Sequence, residues 1–124
     1  MSKAPKILVI EDEKNLRILY QQELARDGFE VATAANATEG LAMIAAERPD
    51  LVVMDIRMPG MDGLEAMSRL LDKHPRIPVV LNSAYSSYKD SFMSWSADAY
   101  VVKSADTGEL RTRVRELLAA RAES

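Results

Sequence analysis

Three short runs of almost only β-branched and aliphatic residues constrain the fold more than any other feature of this sequence. They are 6–10 (KILVI), 51–54 (LVVM) and 78–81 (PVVL). A strand with one face in water alternates apolar and polar side chains, whereas these runs are apolar at successive positions. Such runs are typical of strands that helices cover on both sides. The sequence therefore predicts a parallel sheet between two helical layers.

The segments between these runs have the spacing of amphipathic helices. Apolar residues recur at helical intervals from 16 to 24, and Gly28 follows where a left-handed residue ends many helices. A serine-rich stretch over about 86–95 is a further predicted helix, with a weaker apolar stripe. Three other helices are each expected to begin with a capping residue three positions before a glutamate, in 36–39 (NATE), 62–65 (DGLE) and 106–109 (DTGE).

Strands and helices thus alternate along the chain, which predicts a doubly wound α/β fold. We expect a five-stranded parallel sheet with five helices in three layers. The expected strands are near 6–10, 29–34, 50–55, 77–82 and 98–102. No linker or repeat interrupts 1–124, so one domain is expected, with no output domain.

The composition excludes several classes of function. The absence of cysteine rules out disulfides, thiolate metal sites and cysteine nucleophiles. His74 is the sole histidine, so a histidine metal site is excluded and His74 is predicted to be a bystander. The net charge of -3 argues against a nucleic-acid surface, and no apolar stretch has the length of a membrane span or a signal peptide. We expect a cytoplasmic protein without direct nucleic-acid or membrane contacts.

Polar residues with matching chemistry stand where the predicted strands end. Glu11 and Asp12 follow the first strand, and Asp55, Ser83 and Lys103 end the third, fourth and fifth. The carboxyl ends of parallel strands share one rim, where ligands bind in open sheets. Three carboxylates repel one another unless a cation lies among them, and oxygen ligands suit Mg²⁺. The sequence predicts a Mg²⁺ site in which Asp55 is a nucleophile toward a phosphoryl group.

Over nearly its whole length the chain resembles the CheY-like receiver domains of response regulators in two-component and phosphorelay signalling. The resemblance is carried by Glu11 and Asp12, Asp55 with 58–63 (MPGMDG), 83–85 (SAY), and 97–100 (ADAY) leading to Lys103. It implies strand order 2-1-3-4-5 and phosphorylation of Asp55. The implied donor is a sensor histidine kinase or a histidine phosphotransfer protein. A downstream protein partner would bind the face of the fourth helix, fifth strand and fifth helix.

The resemblance also implies the role of each site residue. The Mg²⁺ ligands would be Glu11, Asp12, Asp55 and the backbone carbonyl of Arg57, with Mn²⁺ as a substitute metal. Ser83 and Lys103 would contact the phosphoryl group. Tyr100 matches the family's switch aromatic, which turns inward when Ser83 is engaged. Arg57 and Tyr85 flank the expected path of hydrolytic water, so we predict that they set the lifetime of the phosphate.

Two residues depart from the family pattern. Ser104 follows Lys103, where receivers usually have a proline after a cis peptide bond. Because a cis bond without proline costs about 2.5 to 4 kcal/mol, we expect a trans bond and a shifted loop. Ser96 stands where the family commonly has glycine, which predicts a different turn into the fifth strand. Both residues lie near the face expected to meet partners.

Three other functions compete with a phosphorylated switch. A haloacid-dehalogenase-type phosphatase needs a second aspartate two residues after Asp55 as general acid, and Arg57 stands there. A flavodoxin-like cofactor binder would hold phosphate in the loop after the first strand, where 11–13 (EDE) would repel it. A receiver-like interaction module that works without phosphorylation stays open because of Ser104. The chain is expected to catalyse only its own aspartyl phosphorylation and dephosphorylation.

Overall fold

A computed structural model describes residues 4–87, 94 and 96–123 of the chain. Its strands are β1 (Lys6–Ile10), β2 (Glu30–Ala34), β3 (Leu51–Met54), β4 (Val79–Ser83) and β5 (Ala99–Val102). Its helices are α1 (Lys14–Arg26), α2 (Ala37–Ala46), α3 (Gly63–Lys73) and α4 (Gly108–Glu123). The strands form one parallel sheet in the order β2-β1-β3-β4-β5. The predicted doubly wound sheet and its strand order are confirmed.

The described part of the chain has four helices rather than the predicted five. The helix predicted over about 86–95 falls mostly on 88–93 and 95, which lie outside the described residues. The helix predicted as the fifth is therefore α4. None of the described helices is both long and apolar enough to cross a bilayer.

The sheet has two different cores, one on each face. The α2/α3 face is covered by those two helices and holds, among others, Leu8, Ile10, Val52, Met54, Val79 and Leu81. The α1/α4 face is covered by the other two helices and holds, among others, Ile7, Val9, Val53, Val80 and Val101. All four residues of β3 are buried, because this central strand alternates between two covered faces. This burial explains its uninterrupted apolar run.

Local interactions at the helix ends follow two of the three predicted caps. The side chains of Asn36 and Asp62 each accept a hydrogen bond from the backbone N–H three residues on, at 2.8 Å. The cap predicted at Asp106 is wrong. Its Oδ1 accepts from the N–H of Gly108 at 2.8 Å instead of from Glu109. Since the helix begins at Gly108, Asp106 lies one residue too early to cap it and closes a local turn.

The backbone agrees with the other local predictions. Gly28 has φ of 94°, the left-handed conformation expected after α1. The described residues contain no cis peptide bond, so the Lys103–Ser104 bond is trans as predicted. The β4 strand begins two residues later than expected and extends to Ser83. Ser83 is thus the last residue of a buried strand, next to the rim where the polar residues meet.

Candidate functional site

Three carboxylates meet at the carboxyl ends of β1 and β3. Ile10 of β1 pairs with Met54 of β3, and Glu11 and Asp55 directly follow these two residues. The two carboxylates therefore lie at the ends of neighbouring strands. Glu11, Asp12 and Asp55 each offer an oxygen within 4.8 Å of the others. Glu11 and Asp55 are buried and Asp12 is exposed, so the cluster opens to solvent on the Asp12 side. The structure therefore brings together the three acids that the sequence singled out.

The side chain of Lys103, which directly follows β5, reaches this cluster from the other side of the sheet's carboxyl edge. Its ammonium lies 2.6 Å from Glu11 Oε1 and 2.9 Å from Asp55 Oδ2. Its backbone N–H donates to the carbonyl of Ser83 at 2.7 Å, which holds the end of β5 against β4. Lys103 thus bridges two buried carboxylates. Sequence reasoning missed the pairing of Lys103 with Glu11.

The charges in the cluster depend on one another. Burial raises the pKa of the Glu11 carboxyl, although hydrogen bonds from Lys103 and from the Glu13 N–H act to lower it. Burial acts to lower the pKa of Lys103, but its hydrogen bonds to Glu11 and Asp55 outweigh burial and raise that pKa. Lys103 therefore stays charged, and its positive charge offsets the negative charge of the buried Glu11 and Asp55 carboxylates. A second cation would fit the same acids.

The loop after β3 fixes Asp55 through backbone contacts. Asp55 Oδ1 accepts from the N–H of Ile56 at 2.7 Å, and the N–H of Gly63 donates to the Ile56 carbonyl at 2.7 Å. A Cβ on Gly63 would lie 2.8 Å from Ile56 Cα and closer still to the Asp55 carbonyl oxygen. Only glycine allows α3 to begin this close to Asp55. This contact gives a physical reason for the glycine in 58–63 (MPGMDG).

Tyr85 connects the other predicted site residues. Its N–H donates to Oγ of the fully buried Ser83 at 3.1 Å, and its carbonyl accepts a hydrogen bond from the Tyr100 hydroxyl. The Arg57 guanidinium lies over its ring, 4.9 Å from the centroid, within the range of a cation–π interaction. Arg57, Ser83 and Tyr100 are therefore linked through one residue beside the acid cluster. His74 directly follows α3, where its backbone N–H donates to the Leu70 carbonyl, and its role as a bystander stays a prediction.

Arg17 is a site residue that the sequence reading missed. Its guanidinium donates to the carbonyls of Glu11 and Asp12, at 2.9 Å each. These bonds hold the loop that carries both acids against α1. On sequence alone Arg17 reads as a solvated helix residue, since its target is backbone and leaves no side-chain pattern. The sequence feature that could have identified Arg17 is its position, one turn into the helix that follows the acidic loop.

The donor set at this rim fits a hard divalent cation. The ligand atoms are all carboxylate oxygens, one of the acids is open to water, and Mg²⁺ prefers a few carboxylates with several waters. No histidine or cysteine lies in the group, so the softer transition metals are less suited. The Mg²⁺ ligands predicted from side chains are thus close enough together to act as one site.

Comparison with known sequences gives a consistent result. Residues 7–115 match the family model described as the response regulator receiver domain. The transcriptional regulatory protein AfsQ1 of Streptomyces coelicolor is 36% identical over 116 residues, which cover 92% of this chain and 51% of AfsQ1. The chain spans about half the length of such curated relatives.

Solved structures agree with this comparison. The response regulator protein TrrA of Thermotoga maritima, in complex with Mg(2+)-BeF, has a TM-score of 0.89 and 42% identity, covering 91% of this chain and 98% of TrrA. TrrA in complex with the histidine kinase ThkA has a TM-score of 0.87 and 42% identity, covering 92% of this chain and 98% of that one. With the family model matching most of the chain, this protein belongs to the response regulator receiver domain family.

Proposed function

We propose that this chain is a phosphoacceptor switch in which Asp55 receives a phosphoryl group from a sensor histidine kinase or a histidine phosphotransfer protein. One observation carries the proposal: Glu11, Asp12 and Asp55 offer oxygens within 4.8 Å of one another, and the Lys103 ammonium lies 2.9 Å from Asp55. A carboxylate nucleophile, a site for a hard cation and a fixed positive charge are what phosphoryl transfer to an aspartate requires.

In the proposed step, an Asp55 oxygen attacks the phosphorus of a phosphohistidine in line with the P–N bond. A P–O bond forms as the P–N bond breaks, and the electron pair leaves with the imidazole nitrogen. Lys103 already lies beside Asp55 and can pair with the phosphoryl oxygens without leaving its place. Mg²⁺, or Mn²⁺ in its place, would be held by Glu11, Asp12, Asp55 and the Arg57 carbonyl, and would offset the phosphoryl charge.

Ser83 and Tyr100 would convert the phosphorylation into a signal. The Ser83 Oγ accepts from the Tyr85 N–H through a lone pair, so its own O–H proton can donate to a phosphoryl oxygen. Such a bond would pull on the segment that carries Tyr85. Because the Tyr100 hydroxyl donates a hydrogen bond to the Tyr85 carbonyl, this movement would alter or break the hydrogen bond that holds Tyr100. We propose that Tyr100 responds by turning inward.

We extend the proposal to partners by analogy with the TrrA–ThkA complex, in which a response regulator binds a histidine kinase. The downstream partner would be a protein that binds β5, α4 and the segment before β5. We expect the exchange to take place in the cytoplasm. A phosphatase is disfavoured because the position of its general acid is held by Arg57, whose guanidinium stays charged and lies over Tyr85.

The central test is incubation with acetyl phosphate and Mg²⁺, followed by intact mass. The wild type should gain one phosphoryl group, only with Mg²⁺, and Asp55→Asn should gain none. Asp62→Asn is a matched control, because Asp62 caps α3 in the same loop and asparagine is an equally good cap. This control should be phosphorylated like the wild type. A Mg²⁺-dependent adduct that survives Asp55→Asn, or no adduct in the wild type, would defeat the proposal.

The lifetime of the phosphate is a separate test. Arg57→Ala and Tyr85→Ala each remove one half of the guanidinium–ring contact that lies beside the expected path of water. Both should change the rate at which the isolated phosphoprotein loses its phosphate, measured by intact mass over time. Unchanged rates in both variants would contradict a role for this contact in dephosphorylation.

A further inference from the structure

Arg17 holds both peptide groups that flank Asp12. Its Nη1 donates to the carbonyl oxygens of Glu11 and Asp12, at 2.9 Å each. This nitrogen carries two hydrogens, so it can serve both acceptors at once. The Glu11 carbonyl belongs to the peptide group before Asp12 Cα, and the Asp12 carbonyl belongs to the one after it. Because a peptide group is planar, holding these two carbonyls restricts φ and ψ of Asp12 and thus the direction of its Cα–Cβ bond.

Asp12 depends on such support more than the other two acids do. The carboxylates of Glu11 and Asp55 each lie within ion-pair distance of Lys103 and each accept from a backbone N–H nearby. The Asp12 carboxylate is exposed, and within the part of the chain that the structure describes it has no hydrogen bond or ion pair of its own. Its placement among the described residues is therefore set through its backbone, which Arg17 holds.

The guanidinium reaches this loop because α1 begins directly after it. The Glu13 carbonyl accepts from the Arg17 N–H at 3.0 Å, which closes the first turn of the helix. Long side chains in a helix point back toward its N-terminus, so the Arg17 side chain extends toward the loop. A positive charge near this end opposes the helix dipole, and no acidic residue in the first turn of α1 offsets it. The two hydrogen bonds to the loop compensate for this unfavourable position.

We propose that Arg17 is a positioning residue for the metal site: its two hydrogen bonds hold the Asp12 backbone so that the carboxylate stays beside those of Glu11 and Asp55. The inference rests on the proposed function, since it requires the acid cluster to bind Mg²⁺. The three acids offer oxygens within 4.8 Å of one another while Arg17 is in place. Without Arg17, Asp12 would be ordered only when the metal binds, and the cost of ordering it would weaken binding.

Arg17 has two effects on Mg²⁺ binding, and they have opposite signs. Its positive charge repels a second cation nearby, although the half-buried side chain leaves this repulsion screened by water. Its hydrogen bonds favour binding, because residues that orient metal ligands typically change metal affinity by about 10- to 100-fold. Since the repulsion cancels part of this gain, we expect a net effect at the lower end, about tenfold.

The test is Mg²⁺ binding, measured by NMR titration with magnesium chloride alone. Arg17→Met keeps an apolar stem but removes the donors, and it should raise the dissociation constant about tenfold. Arg17→Lys keeps a charged nitrogen with several donors, so it should bind more tightly than Arg17→Met. Lys14→Met is the matched control, because it removes an exposed positive charge from the same end of α1. This control should bind Mg²⁺ at least as tightly as the wild type.

Backbone NMR relaxation of the metal-free protein separates positioning from a general structural role. The order parameters of the Asp12 and Glu13 amides should fall in Arg17→Met and stay at the wild-type value in Lys14→Met. A general loss of stability would not confine the change to this loop. If Arg17→Met fails to fold, as judged by circular dichroism, Arg17→Leu replaces it.

Three results would overturn the inference. The first is wild-type or tighter Mg²⁺ binding in Arg17→Met, and the second is weaker binding in Arg17→Lys than in Arg17→Met, because charge repulsion would then outweigh positioning. The third is weakened binding with unchanged order parameters at Asp12 and Glu13. All three leave the proposed function intact, since the wild type still binds Mg²⁺ and is phosphorylated. A wild-type protein that binds no Mg²⁺ would instead defeat the proposed function and this inference with it.

Discussion

Replacing Lys103 with methionine tests the electrostatic account of the site. The ammonium lies 2.6 Å from Glu11 and 2.9 Å from Asp55, whose side chains are 2% and 8% exposed. Removing one member of a buried ion pair costs about 3 to 5 kcal/mol, because the remaining charges stay buried without compensation. Since the Lys103 side chain keeps 15% exposure, we expect the lower end, about 3 kcal/mol, for Lys103→Met in the absence of metal.

The assay is urea unfolding followed by circular dichroism at pH 7, once with a chelator and once with saturating Mg²⁺. Mg²⁺ supplies positive charge to the same carboxylates, so it should recover most of the loss in free energy of unfolding. Lys6→Met is a matched control: Lys6 pairs with Glu47 at 2.8 Å and is 19% exposed, but Glu47 is 70% exposed. An exposed ion pair contributes about 0 to 1 kcal/mol, so Lys6→Met should lose little free energy of unfolding, and Mg²⁺ should not change that loss. A loss below about 1 kcal/mol in Lys103→Met, or one that Mg²⁺ leaves unchanged, would refute the reasoning.

Two further predictions concern the scaffold. Arg111 donates two hydrogen bonds to Asp27, at 2.9 and 2.7 Å, and these bonds lower the pKa of Asp27. Because the pKa of Asp27 is lower in the folded protein than in the unfolded protein, the ionised carboxylate stabilises the fold at pH values above the unfolded-state pKa. Asp27→Asn should therefore lower the free energy of unfolding by about 1 to 3 kcal/mol at pH 7. The difference in urea unfolding should vanish as the pH falls through the folded-state pKa, and an equal cost at pH 7 and about pH 2 would contradict this account. Gly63→Ala should lower the free energy of unfolding by about 1 to 3 kcal/mol, because the new Cβ would clash with the Asp55 backbone. Gly108→Ala should lower it less, because its Cβ would meet the Asp106 carboxylate at 3.0 Å, and that side chain can move. Equal costs at the two glycines would refute the close approach of α3 to Asp55.

The fold and the acids of the site were predictable because short patterns encode them. The run 51–54 has no polar position, and a central strand covered on both faces needs none. Asp55 then follows at the only place where such a strand can present a polar side chain, its carboxyl end. Asn36 and Asp62 stand three residues before glutamates, and both cap helices as their sequence indicates. In each case the information lies within a few residues of the position concerned.

The remaining features depend on residues that are distant in sequence. Lys103 meets Glu11 across the strands that separate them in the sheet. Arg17 binds backbone carbonyls, which have no signature in a sequence. The cap predicted at Asp106 failed for a local reason, because the motif does not say which residue begins the helix. Sequence therefore identified the reactive groups better than the residues that hold them.

The arrangement of the strands separates the chemistry of the proposed switch from its response. Asp55 continues the row of Val53 on the α1/α4 face, whereas Ser83 follows Leu81 and Tyr100 packs against the core of the α2/α3 face. Ser83 links the two faces, because its carbonyl accepts from the Lys103 N–H and its Oγ accepts from Tyr85. A pull on Ser83 would thus reach Tyr100 while α1 stays in place. In the part of the chain that the structure describes, β5 lies at the edge of the sheet and pairs with β4 alone. Its displacement would therefore disturb one ladder and leave the rest of the sheet as a fixed support for Asp55.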